Sequence, residues 1–270
     1  MLSLQALFGL IVFVGIAVLC SEKRQLPGWR LLLTGFGLQF LFAFGVFNIG
    51  FLQQFLSLLN DGVGAIVAAT ESGTLFVFGY LGGDPANVDY PFTVSEPGAT
   101  MVLAFRVLPL ILVFSVLSAI LWHYRILPQI VRGFSFVLQK SMNVSGAVGL
   151  SSAANIFIGM VESPALIRPY IKVLTRGELF IVMSCGMATI AGTVMVLYSV
   201  VLQGLLENPL GHIITASVIS APAAIMLAII MVPESEKVSG DDIKLHTEYH
   251  SLMDAITQGT ADGVKLMVNV

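Results

Sequence analysis

Glu162 is a carboxylate set in the middle of an apolar stretch, Ser151-Ser152-Ala153-Ala154-Asn155-Ile156-Phe157-Ile158-Gly159-Met160-Val161-Glu162-Ser163-Pro164-Ala165-Leu166-Ile167-Arg168-Pro169-Tyr170. Gly159 and Pro164 flank it. Proline has no backbone donor and clashes with the preceding turn, so a helix stops there. An interrupted backbone inside a bilayer is tolerated only within protein or beside a water-filled cavity. The pattern predicts a hairpin of two half-helices, whose broken centre offers free N–H and C=O groups and helix-end dipoles to a ligand or an ion. A carboxylate at membrane depth costs roughly 2.5–3.5 kcal/mol on insertion scales, which marks a functional position. The plain alternative is a shallow Glu162 paired with Arg168.

What positions this hairpin is a membrane protein. Hydrophobic residues make up 56% of the 270 and charged residues 11%, against roughly 25% charged in a soluble domain. Mean hydropathy is +0.91. A soluble fold of this length cannot bury that much apolar surface. The formal charge of −3 excludes a basic nucleic-acid surface. A span needs roughly 20 apolar residues, and Leu2–Leu19, Leu31–Phe47, Met101–Trp122 and His212–Val232 meet that, with Leu179–Leu206 a fifth, rich in small residues. The first stretch has no basic residue before it and no small-residue cleavage site after it, so it reads as a retained helix.

Lysine and arginine set the orientation. Lys23, Arg24 and Arg30 follow the first span, none occurs from Leu31 to Phe105, and Arg125, Arg132, Lys140, Arg168, Lys172, Arg176, Lys237 and Lys244 follow. The N-terminus and the 48–99 connection then face outward, and 123–145, 168–176 and 233–250 face the cytoplasm. Segment 145–170 must enter and leave on the cytoplasmic side. Segment 48–72, apolar but carrying Asn48, Gln53, Gln54, Asn60 and Asp61, predicts a helix lying along the outer interface. Gly79, Gly82, Gly83, Asp84-Pro85 and Pro91 read as turns. The fold class is therefore all-α and integral to the membrane: about five transmembrane helices, a cytoplasm-side re-entrant hairpin and an outer interfacial helix. Cys20 and Cys185 have no ligand spacing and read as packing residues. His123, His212, His246 and His250 lie at span ends or in polar loops. Gly186, Ala188, Ala191 and Gly192 suit either close helix packing or a site.

The chain resembles the concentrative nucleoside transporters. The resemblance is carried by Ala153-Ala154-Asn155-Ile156-Phe157-Ile158-Gly159, Glu162-Ser163-Pro164 and Pro169-Tyr170-Ile171, then by Gly186-Met187-Ala188-Thr189-Ile190-Ala191-Gly192-Thr193. Weaker blocks are Ser72 to Gly79, Phe105 to Pro109 and Thr257 to Gly263, all in family order. The resemblance implies an ion-coupled symporter of the cell's inner (plasma) membrane, a homotrimer in lipid, with no enzymatic activity and no nucleic-acid partner. It implies that Gly159, Met160, Val161 and Glu162 form a tip that binds the nucleobase, with Val194 packing near the base. It also implies a cation site, Na⁺ or H⁺ being the coupling ion, made mainly of the backbone carbonyls of Asn155, Ile158, Thr189 and Ile190, with the Thr189 hydroxyl added. Residues 1–122 become scaffold helices with an outer loop at 48–99, 123–206 the hairpin and following helix, and 207–270 a further span, a cytoplasmic connector and the start of another helix.

Two departures stand out. The family's tip reads Gly-Gln-Thr/Ser-Glu, where this chain has Gly159-Met160-Val161-Glu162, so two hydrogen-bonding side chains have become apolar. The family chain is also longer, and its ribose-holding residues are expected beyond Val270. The competing function is a non-transporting membrane sensor or assembly protein that reuses a gate-like hairpin. An intramembrane enzyme with Glu162 as base lacks an accompanying nucleophile, metal triad or second carboxylate.

Overall fold

The computed structural model describes residues 2–24, 26–83, 88–93, 102–160, 162–202, 205–206, 208–233 and 249–269. Asp84-Pro85, Val161, His246 and most of the connector after Pro233 lie outside the described residues, as does the Glu162 side chain. All regular elements among the described residues are helical: α1 (Leu2–Leu19), α2 (Trp29–Asn48), α3 (Gly50–Phe78), α4 (Leu103–Arg106), α5 (Leu108–His123), α6 (Ile126–Met142), α7 (Gly146–Asn155), α8 (Glu162–Leu166), α9 (Arg176–Ala188), α10 (Gly192–Val201), α11 (Pro209–Met231) and α12 (Leu252–Asn269). Among the described residues, four helical stretches are long and apolar enough to cross a membrane: Trp29–Asn48, Gly50–Gly82, Ala104–His123 and Pro209–Met231. With the apolar α1 they account for the multi-pass character.

Two expectations are corrected, and one connection proves to be helical. The segment expected as a fifth span, Leu179–Leu206, is not one helix: α9 ends at Ala188, and Thr189 leaves in an extended conformation (φ −111°, ψ 159°) before α10 begins. The outer segment is one helix of 29 residues, α3, running past the expected end at 72. The connection at 123–145 holds a helix, α6, whose buried face, Leu127, Val131, Ser135, Leu138 and Met142, recurs at helical spacing while Arg132, Phe136 and Lys140 stay exposed. Cys185 is buried as expected, whereas Cys20, just past α1, is exposed.

Packing divides the chain into two compact units that interleave in sequence: 1–49, 128–191 and 214–246 form one, and 50–127, 192–213 and 247–270 the other. In the first unit, Ala17 of α1 and Leu38 of α2 share a core with Leu138 of α6, Val148 and Ala153 of α7, Ile181 of α9 and Ile225 of α11. The first two helices thus pack with the hairpin. In the second unit, Leu110 and Phe114 of α5 pack against Val196 of α10, and α12 lies along α5.

Candidate functional site: the broken hairpin and the end of α9

The site is built in the first unit. Every residue of α7 is buried, because Gly146, Ala147, Gly149, Ser151, Ser152, Ala153 and Ala154 are small enough for neighbouring helices to close around it. The chain then tightens: the N–H groups of Phe157 and Ile158 both donate to the Ala154 carbonyl, at 3.0 and 2.9 Å. Gly159 follows at φ +126°, a conformation that side-chain-bearing residues rarely adopt. The Ser163 N–H donates back to the Gly159 carbonyl at 3.0 Å, and α8 begins. The Ser151 and Ser163 hydroxyls lie 3.2 Å apart and tie the two arms together. A helix, a break and a second helix match the predicted pattern, but the break lies around Gly159 alone: Glu162, Ser163 and Pro164, expected at the break, form the first turn of α8, where a proline needs no backbone donor.

α9 is launched by a capping box: the Thr175 hydroxyl accepts the Glu178 N–H at 3.2 Å, and the Glu178 carboxylate accepts the Thr175 N–H at 3.0 Å. Its far end meets the end of α7. Asn155, 1% exposed, donates from Nδ2 to the Cys185 carbonyl at 2.7 Å and to the Thr189 hydroxyl at 2.5 Å. That hydroxyl in turn reaches the Cys185 carbonyl at 3.0 Å and the Asn155 carbonyl at 3.4 Å. The Asn155 Oδ1 is buried and accepts no hydrogen bond among the described residues. A buried carbonyl-type oxygen without a donor is costly unless something else answers it. Two helix C-termini, each with the negative end of its dipole and carbonyls beyond the intrahelical pattern, therefore converge on one idle acceptor. The chemistry this offers is oxygen ligation of a cation.

Of the sequence-predicted residues, the fold brings Asn155 and Thr189 into direct contact, keeps Ile158 three residues along the turn and holds Ile190 next to Thr189 in the same unit. Gly159 makes the tip. Met160 beside it is 60% exposed, and a Cβ at Gly186 would sit 3.2 Å from the Met160 Cβ, so glycine there leaves room for the tip. Val194, half-buried in the first turn of α10, belongs to the second unit. Sequence reasoning missed the Ser151–Ser163 tie, the Thr175/Glu178 capping box and Ser217, whose hydroxyl accepts the Ile190 N–H at 3.3 Å. The Thr-x-x-Glu spacing was available as a signal for the capping box. Ser217 had no local signal beyond being a hydroxyl within an apolar helix.

Comparison with known proteins agrees with this architecture. Three family models match consecutively: the Na⁺-dependent nucleoside transporter N-terminus over residues 8–81, a nucleoside recognition domain over 104–204, and the Na⁺-dependent nucleoside transporter C-terminus over 212–270. An uncharacterized transporter of Haemophilus influenzae is 34% identical over 99% of the chain and 61% of its own length. The sodium/nucleoside cotransporter 2 of Rattus norvegicus is 32% identical over 97% of the chain and 37% of its own length. Among solved structures, CNTnw in an inward-facing substrate-bound state superposes with a TM-score of 0.82 at 32% identity, covering 100% of the chain and 61% of that protein. An outward-facing CNTnw variant gives 0.84 at 30% identity, over 100% and 62%. The chain thus spans about three-fifths of the bacterial relative and of CNTnw, and little more than a third of the rat cotransporter.

Proposed function

The chain belongs to the concentrative nucleoside transporter family, a multi-pass protein of the plasma membrane and a transporter rather than an enzyme, and from that premise we propose that the intact protein is a Na⁺-coupled nucleoside symporter whose cation site lies between the end of α7 and the end of α9. The supporting observation is the idle, buried Asn155 Oδ1 beside the Thr189 hydroxyl and the Asn155 carbonyl. For a cation that holds oxygens at about 2.4 Å, in the range for the similarly sized Ca²⁺, ligands at right angles are about 3.4 Å apart. The Thr189 hydroxyl and the Asn155 carbonyl oxygen have that separation, 3.4 Å. Carbonyls and a hydroxyl without a carboxylate cage suit a monovalent ion, and the carbonyls of Ile158, Thr189 and Ile190 complete the proposed set.

In the same reading the hairpin tip, Gly159, Met160, Val161 and Glu162, contacts the base, Val194 packs near it, and the protein works as a homotrimer. The hairpin enters from the cytoplasmic side, as the basic residues on both flanks require. Met160 and Val161 offer no conventional hydrogen bond, and a ligand group left without a partner costs roughly 1–3 kcal/mol. Pyrimidine nucleosides therefore bind more weakly than at a Gln/Thr tip, and an apolar contact with a purine face offsets part of the loss. The same apolar tip favours the second reading, a membrane sensor that binds without transporting.

One experiment separates them. The intact protein in proteoliposomes should accumulate labelled nucleoside under an inward Na⁺ gradient at fixed pH, with adenosine competing better than uridine. Accumulation driven only by a proton gradient would move the coupling to H⁺. Indifference to both gradients would refute coupled transport and leave the sensor.

A further inference from the structure

α11 is apolar over most of its length, yet it carries Ser217 at mid-helix, 1% exposed. A serine inside a helix ordinarily turns its hydroxyl back to a carbonyl of its own preceding turn. Ser217 reaches off its helix, accepting the N–H of Ile190 at 3.3 Å. Had α9 continued, that N–H would have gone to the carbonyl four residues back, at Gly186. Because the backbone turns extended at Thr189, the donor is set free in apolar surroundings, where it needs a partner. Ser217 supplies one. One turn further along α11, the Ala221 carbonyl lies 3.9 Å from the Cys185 sulfur, so α11 touches the end of α9 at two successive turns.

The peptide linking Thr189 to Ile190 is planar and trans. In such a unit the N–H of the second residue and the C=O of the first point in opposite directions. Aiming the Ile190 N–H at Ser217 therefore aims the Thr189 carbonyl away from α11. On the other flank, the Thr189 side chain is held by Asn155. We infer that Ser217 is a positioning residue of the cation site: by accepting the Ile190 N–H it fixes the peptide plane that presents the Thr189 carbonyl to the ion. The inference rests on the Na⁺ site proposed above and adds α11 to the elements that build it.

The test uses the intact protein with Ser217→Ala and Ser217→Thr. Two readouts are taken: the Na⁺ concentration for half-maximal nucleoside uptake, and the Na⁺ dependence of the melting temperature without nucleoside. Loss of one hydrogen bond that orients a ligand should raise both Na⁺ half-saturation values roughly fivefold in Ser217→Ala. Uptake at saturating Na⁺ should be retained, and Ser217→Thr, which keeps the hydroxyl, should stay within about twofold of wild type. If Ser217→Ala does not fold, Ser217→Cys, a weak acceptor of similar size, carries the same expectation. Unchanged Na⁺ half-saturation in the alanine variant, or a change confined to maximal rate or melting temperature, would overturn the inference. If the wild type itself shows no Na⁺ response by either readout, the symport reading falls and takes Ser217 with it. If the wild type and Thr189→Val respond as expected and Ser217→Ala does not, Ser217 alone is wrong.

Discussion

Replacing Thr189 by valine is expected to raise the Na⁺ concentration for half-maximal uptake by roughly tenfold or more. Valine matches threonine in shape, so α9 and α7 should still pack. What disappears is the hydroxyl that accepts from Asn155 Nδ2 at 2.5 Å and lies 3.4 Å from the Asn155 carbonyl. An interaction with a charged group is worth about 1.5–3 kcal/mol, and 1.4 kcal/mol is tenfold in an equilibrium constant. Removing the hydroxyl also leaves an Asn155 N–H in an apolar site without that acceptor, which adds to the loss. Thr189→Ser keeps the oxygen and should stay near wild type. The measurement is uptake against Na⁺ at fixed ionic strength and pH. A valine variant whose curve overlies the wild-type curve would remove Thr189 from the ion site.

The second large effect is structural. Gly259 and Gly263 are four residues apart on one face of α12, and α5 lies against them. A Cβ at Gly259 would stand 2.9 Å from the Val116 Cα and 2.9 Å from the Ala119 Cβ; one at Gly263 would stand 2.9 Å from the Leu112 Cα. The obstacle is partly backbone, which cannot swing aside as a long side chain can. Close approach of this kind is how helices associate where lipid removes the usual hydrophobic drive. Alanine at either position should cost about 1–3 kcal/mol by overpacking, and leucine should push α12 off α5 altogether. Gly259→Leu and Gly263→Leu are therefore expected to give little folded protein by size-exclusion chromatography in detergent. Ala261→Leu, at an exposed position between them, should elute and melt like wild type. Wild-type behaviour of both glycine variants would mean that α5 and α12 do not pack as described.

These two cases also mark how far the sequence could be read. The spans α2, α5 and α11 and the apolar helix α1 are legible because runs of that length and apolarity have no other stable home. The hairpin is legible because Gly159 interrupts an apolar run in its own sequence, whereas Pro164, read as a stop, sits in the first turn of α8. The break between α9 and α10 is not, since 189–191 hold no proline and the interruption is sustained from elsewhere, by Asn155 on α7 and Ser217 on α11. Long-range partners of that kind leave no local trace. α6 is legible in principle, since its buried positions recur every three to four residues, but its basic residues speak only to the side of the membrane on which that connection lies. The interleaving of the two units is likewise a tertiary fact. α1 and α2 carry apolar faces that fit many partners, and only the folded core shows that they share one with α7 and α9. At the site itself, the identity of Asn155 and Thr189 came from motif resemblance, while their contact and the idle Oδ1 required the fold.

In a symporter of this design an ion at Asn155 and Thr189 and a nucleoside at the hairpin tip bind as coupled ligands. By linkage, each ligand must change the other's affinity by the same factor. Nucleoside affinity of the purified intact protein should be measured in Na⁺ and in choline, and Na⁺ affinity with and without nucleoside. Coupled binding predicts tighter nucleoside binding in Na⁺, roughly 5- to 150-fold for a coupling of about 1–3 kcal/mol, a reciprocal gain of equal size for Na⁺, and the loss of both in Thr189→Val. Nucleoside affinity that is the same in Na⁺ and in choline would contradict it.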